Sequence, residues 1–406
     1  MKDRIFFNLS NILLFFFYLS LTTGNLTFQG IKFNYFMTGL NVLFYGVYFL
    51  LSQKNIRYRF FRRLPFIFFL FWIFIAFFYG FIYPNSFMYT SLNQVFSIVI
   101  TIFISSFYLY FFRDVKSALI MLVFVFLINL TFGFYNTLSG VHFVYIDPDH
   151  FRYTNYFPSG FYGQPNDYIT LIVVCFFSLN LLFVNRKYSF LVIILSSLPV
   201  IYLIEQAASR SALLAVLVFI SLHILLSILI VRRLIYRFRL LFGLLIFLFI
   251  VVFIFIYALQ FDFILNIYNY YFYSESNISS DIYRLESLYF LLNGSINHFF
   301  FPNGPGSSLQ LIGNNPHNLI AELLYEYGII VMFLYVSSLF FYLFRKRVDL
   351  RKLQYYVPYS LGMLLISLTS SSVIREKVYW LVIFLVFFND TIKRNIKTNN
   401  YKVYEV

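Results

Sequence analysis

Apolar residues run along this chain in stretches of about 17 to 25, the length an α-helix needs to cross hydrocarbon. Short polar connections separate most of them. The pattern predicts twelve helices, at about 5–22, 31–52, 64–83, 92–112, 116–138, 166–184, 188–205, 210–231, 240–259, 317–344, 355–372 and 377–391. The first, Ile5–Leu21, follows Lys2 and Arg4 as a signal peptide would, but it lacks a small-residue cleavage site and leads straight into further apolar runs. It is read as a retained helix. Two connections are long: 139–165 and, before the tenth predicted helix, 260–316. The expected fold is therefore all-α, one polytopic integral membrane domain over 1–406 with a large external loop at 260–316.

Composition agrees: 61% of residues are hydrophobic, 24% aromatic and 11% charged, which excludes a soluble globular domain. The single cysteine, Cys175, falls within a predicted span, so neither a disulfide framework nor a cysteine metal site is available. Charge then orients the chain. With both termini cytoplasmic, all but six of the 30 Lys and Arg residues lie on the cytoplasmic side, as the positive-inside rule requires. The net charge of +14 thus reports topology and attraction to anionic headgroups, and nucleic acid is not an expected partner.

The six outward cations are Lys32, Arg152, Arg210, Arg284, Arg375 and Lys377. Arg210, in Ser209-Arg210-Ser211, opens the eighth predicted helix, where the dipole favours an anion. It holds a phosphate there, pairs with Glu205, or snorkels to the interface. Arg284 lies where Leu285, Leu288 and Leu292 recur at helical spacing, which predicts an amphipathic helix on the outer surface. Its guanidinium suits phosphate oxygens, or it is salt-bridged near Asp281 or Glu286. Arg375 reads as an interfacial anchor.

His317 follows Asn314-Asn315-Pro316, residues that start helices, which predicts the imidazole in the first helical turn. A helix N-terminus depresses a histidine pKa, leaving a neutral ring able to accept a proton. The alternative is a cap facing headgroup water. His223, midway along a span, reads as a packed histidine. His142, Asp147, Asp149 and His150 match no established ligand spacing, so no metal is expected. No carboxylate constellation suggests a glycosidase.

Several short segments together resemble the O-antigen polymerase and O-antigen ligase superfamily of bacterial glycan assembly. His317-Asn318, followed after nine residues by Gly328-Ile329-Ile330-Val331, is similar to the ligases' histidine motif, with Val331 departing at its last position. Ser209-Arg210-Ser211-Ala212-Leu213-Leu214 resembles the family's arginine-to-leucine segment, and Arg284 with Pro302-Asn303-Gly304-Pro305-Gly306 resembles the region preceding the histidine. Gly163-Gln164-Pro165-Asn166 resembles a further segment. The likeness covers mainly 160–345.

The resemblance implies a GT-C-like membrane glycosyltransferase without cofactor or metal. Its donor would be an undecaprenyl-pyrophosphate-linked oligosaccharide and its acceptor a glycan hydroxyl, with membrane lipids, a flippase and a chain-length regulator as companions. His317, Arg210 and Arg284 would be catalytic. Arg210, Arg284, Asn318, Gly304, Gly306 and Asn166 would contact substrate, the two glycines chiefly by shaping their loop, and Asn318 by orienting His317. Glu322 and Glu326 belong either to this site or to a buried helix face. A ligase with another acceptor, or a lipid-linked glycan transporter, are the competing expectations.

Overall fold

In a computed structural model, the described residues are 2–23, 27–28, 31–52, 64–112, 114–142, 157–162, 164–182, 189–207, 209–230, 275–297, 300–313, 316–340, 350–369 and 376–386. The predicted span 240–259, with Arg152, Arg375, Asp147, Asp149, His150, Asn314 and Asn315, lies outside them. In chain order the helices are α1 Lys2–Thr22, α2 Phe33–Ser52, α3 Leu64–Ile82, α4 Met88–Phe112, α5 Val115–Ser139, α6 Pro165–Leu182, α7 Ser189–Gln206 and α8 Arg210–Ile230. They continue with α9 Glu275–Asn297, α10 Ser307–Ile312, α11 Leu319–Phe340, α12 Leu350–Thr369 and α13 Lys377–Val386. Apart from one two-residue antiparallel pairing, Thr27–Phe28 with Ile31–Lys32, the described chain is helical.

Each predicted apolar segment other than 240–259 coincides with one of these helices to within a few residues. Four are long and apolar enough to cross a membrane: Met88–Phe112, Val115–Ser139, Arg210–Ser227 and Leu319–Leu339. Shorter apolar helices cover Phe6–Thr22, Phe68–Ile82, Leu191–Gln206 and Lys377–Val386. The chain is a helical membrane-embedded protein. Side chains such as Leu50, Phe81 and Leu138 stand exposed on these helices, an arrangement that hydrocarbon tolerates and water does not.

Polar side chains join the helices from within, where an unpaired group is expensive. Tyr108 Oη donates to Asn11 Oδ1 at 2.6 Å, Asn129 Nδ2 to Thr22 Oγ1 at 3.1 Å, and Asn41 Nδ2 to the Leu13 carbonyl at 3.4 Å. These bonds hold α1 against α4, α5 and α2. An aromatic block does the equivalent for the element that matters most to the site. Trp72 of α3 lies 4.8 Å from Trp380 of α13 between ring centroids and 5.7 Å, edge-on, from Tyr327 of α11. The hydroxyls of Tyr335 and Tyr379 are hydrogen-bonded. Helix α11 is thereby fixed between α3 and α13. On the far side α8 packs chiefly against α12, where His223 Nδ1 lies 2.8 Å from the Gln354 carbonyl oxygen, the packed role expected of that histidine.

Candidate functional site

The expected loop 260–316 is a built structure in its described part. It carries α9, then a turn at 300–306, then the short α10. Helix α9 is amphipathic, as the leucine spacing predicts, with its apolar face outward. Ile282, Leu285, Tyr289, Phe290, Leu292 and Ile296 are exposed, whereas Ser287, Leu291 and Ser295 are buried and Tyr283 and Arg284 half-buried. A helix with this division meets lipid on one side and offers polar groups to the protein on the other. It packs on α11, where Gly294 admits the Tyr325 ring so closely that a Cβ would stand 2.6 Å from Cε2.

Helix α11 is broken at Gly328, whose φ of 81° and ψ of 174° lie in a region open essentially to glycine alone. An unbroken helix would pair the carbonyls of Tyr325 and Glu326 with residues 329 and 330. Here they receive the loop: Asn303 N–H donates to Tyr325 O at 3.1 Å and Gly304 N–H to Glu326 O at 3.1 Å. The Asn303 side-chain amide also reaches Tyr325 O, at 3.3 Å. The buried Glu326 carboxylate accepts from Ser308 Oγ and from Ser308 N–H at 3.3 Å, and its other oxygen accepts from Ser91 Oγ at 3.4 Å. Asn85 Nδ2 closes the other side by donating to Pro305 O at 2.9 Å.

Gly304 and Gly306, at φ 87° and 81°, sit where this loop meets the α3–α4 connection. A Cβ at Gly306 would lie 2.7 Å from the carbonyl carbon of Phe87, and one at Gly304 would lie 3.0 Å from Tyr79 O. Backbone covers both faces. The structure therefore assigns the glycine pair to shaping the loop, and Glu326 to clamping it rather than merely lining a helix face.

The loop and α9 frame His317. The ring of Tyr283 meets the imidazole edge-on, with centroids 6.1 Å apart and planes at 90°. Burial pushes the His317 pKa down to about 4, and the neighbouring Arg284 guanidinium adds to the depression. The depression expected from a helix N-terminus comes here from burial and the guanidinium. Helix α11 begins at Leu319 and Asn318 is its cap, with Oδ1 accepting from Ala321 N–H at 3.0 Å and its carbonyl accepting from Glu322 N–H at 3.0 Å. His317 stands one residue before the cap, outside the first turn. Asn318's side-chain and backbone oxygens thus both serve the start of the helix.

Thus Arg284 and His317 are brought together. Arg210 is half-buried at the first position of α8, after the buried Ser209. Asn166 lies in the first turn of α6, where its carbonyl accepts from Thr170 Oγ1 at 2.9 Å. Beside that turn is a second polar group the sequence reading missed. Tyr162 Oη donates to Glu376 Oε2 at 3.1 Å, and burial, with Asp167 nearby, pushes the Glu376 carboxyl up to about 8. Its members lie 214 residues apart in the chain, so no local pattern signals it. His142 lies 2.8 Å from Ser159 Oγ through Nδ1 and stacks on Phe157.

No family model matches the chain, and no curated protein matches it.

Proposed function

We propose that this chain is a bacterial surface-polysaccharide polymerase: a GT-C-like membrane glycosyltransferase of twelve spans with its site on the outer face of the cytoplasmic membrane. One observation carries the reading. An amphipathic helix with its apolar face outward sets a guanidinium beside a half-buried imidazole, whose pKa burial lowers, at the head of an apolar helix. That combination suits a substrate whose lipid lies in the bilayer while its phosphates and sugars stand at the surface. The motif resemblance over 160–345 supplies the substrate class, an undecaprenyl-pyrophosphate-linked glycan.

In this mechanism His317 takes the proton of an acceptor sugar hydroxyl, whose oxygen attacks the anomeric carbon. The bond from that carbon to the pyrophosphate oxygen breaks, and lipid pyrophosphate leaves with inversion. Arg284, together with Arg210 on α8, stabilises the charge growing on the leaving group. General-base assistance of this kind contributes about 10²–10⁴-fold. The two groups also regulate each other. A phosphate on Arg284 cancels its repulsion of the imidazolium, so the donor itself raises the basicity of His317 towards the value a base needs near neutral pH.

The test supplies purified protein in lipid with a defined lipid-linked repeat unit, with and without a second glycan acceptor, and follows chain length. A ladder of longer lipid-linked products supports the polymerase. Consumption only when another acceptor is added replaces it with a ligase, and passage of unchanged substrate across the bilayer replaces it with a transporter.

A further inference from the structure

Helix α9 carries two serines on its buried stripe, Ser287 and Ser295, separated by two turns. Ser295 satisfies itself, with Oγ donating to the Leu291 carbonyl at 2.6 Å, the usual recourse of a helical serine. Ser287 does not: it is 3% exposed and its Oγ has no hydrogen-bond partner among the described residues. One turn before it, the hydroxyl of Tyr283 is likewise shielded from solvent and without a partner among the described residues. Tyr283 and Ser287 are spaced i, i+4, so their side chains rise from the same face, with Arg284 in the same turn and His317 against the Tyr283 ring. A buried hydroxyl left unpaired is costly and asks for an explanation; two on one turn beside a guanidinium share one.

We infer that the hydroxyls of Tyr283 and Ser287 are phosphoryl-oxygen ligands, which with Arg284 form a three-point site for a phosphate or pyrophosphate group on the inner face of α9. Each hydroxyl has one proton to donate, and Arg284 adds a positive charge and further donors. The ligand must therefore offer several acceptor oxygens within one helical turn, and a phosphoryl group does so without bringing donors of its own to compete. Placing neutral donors beside the arginine gives affinity without adding to the positive charge that already disfavours the imidazolium of His317. The edge-on Tyr283 ring then orients His317 while its hydroxyl holds the ligand, so one side chain couples the anion to the base. The identity of the physiological ligand as a lipid pyrophosphate rests on the proposed function; the phosphoryl site does not.

The experiment titrates inorganic pyrophosphate into purified full-length protein in detergent, reading thermal stability and affinity for wild type, Tyr283→Phe, Ser287→Ala and Arg284→Gln. Losing a hydrogen bond to a charged group weakens binding about 10-fold or more per hydroxyl. Without ligand, both hydroxyl variants melt at or above the wild-type temperature, because each removes an unpaired buried group. Pyrophosphate affinity equal to wild type in both variants overturns the inference. So does a lowered melting temperature without ligand, which would give the hydroxyls structural partners. If Arg284→Gln alone loses binding, the anion site of the proposed function survives without its hydroxyls. If wild type binds no pyrophosphate, both fall.

Discussion

Replacing Gly328 with alanine tests how the site is assembled. Only glycine reaches a backbone of 81°, 174° at little strain, so the variant has two ways to respond. Keeping the break holds alanine in a region that costs about 1–3 kcal/mol. Straightening α11 instead removes three hydrogen bonds from the loop, those of Asn303 N–H, Asn303 Nδ2 and Gly304 N–H, at about 0.5–1.5 kcal/mol each. The cheaper route prevails, and the predicted loss is about 1–3 kcal/mol. Gly46→Ala is the control, since nothing lies within 4 Å of a Cβ there and α2 is regular around it. That change is expected to be neutral or to stabilise by up to about 1 kcal/mol. Tryptophan fluorescence is a suitable monitor of unfolding in detergent, because Trp72 packs on Tyr327 next to the break. Equal stability of Gly328→Ala and wild type would refute the idea that the break is required to receive the loop.

Two titrations follow from the buried groups. Histidine NMR should find His317 protonating near pH 4, so its neutral form's contribution to stability is intact above the ordinary value of 6.5 and fades as pH falls from there towards 4. Burial is the larger cause, so Arg284 accounts for less than half of that displacement. Arg284→Gln should raise the midpoint by no more than about 1.2 pH units, or roughly 1.6 kcal/mol at 1.36 kcal/mol per unit. A midpoint at 6.5 in wild type, or one unmoved by Arg284→Gln, contradicts the pairing. Glu376 behaves oppositely. Burial, helped by Asp167 and opposed by Tyr162 and Lys377, raises its carboxyl from the usual 4.5 to about 8, so its contribution is complete below 4.5 and is lost as pH rises through 8. The melting temperature should fall between pH 5 and pH 9, with roughly 5 kcal/mol as the upper bound. Glu376→Gln should flatten that fall, and an unchanged profile in the variant would sink the assignment.

What could be read in the chain and what could not divide along sequence distance. Apolar runs such as Phe68–Ile82 and Leu319–Leu339 announce helices because burial in lipid acts on every residue of the run. The leucines at 285, 288 and 292 announced α9 for the same reason, although not that the leucine side would face outward. Gly328 stood out only through the resemblance of its segment to a histidine motif; that it breaks the helix could not be read, because that role exists only through Asn303 and Gly304. Glu326 likewise acquires meaning from Ser91 and Ser308, and Pro305 from Asn85, 220 residues away. At His317 the local reading erred by one step. Pro316 and the preceding asparagines look like a helix start, but Asn318 offers a better cap, since its own side chain reaches Ala321 N–H.

The central claim is that His317 acts as the base and Arg284 as the electrostatic support for a departing pyrophosphate. The most direct measurement is the rate of undecaprenyl pyrophosphate release from a matched lipid-linked repeat unit, in wild type, His317→Ala and Arg284→Ala. The account predicts release coupled to chain growth, slowed by about 100-fold or more in His317→Ala and slowed comparably in Arg284→Ala. Release at the wild-type rate in His317→Ala, from protein of unchanged melting temperature, contradicts it.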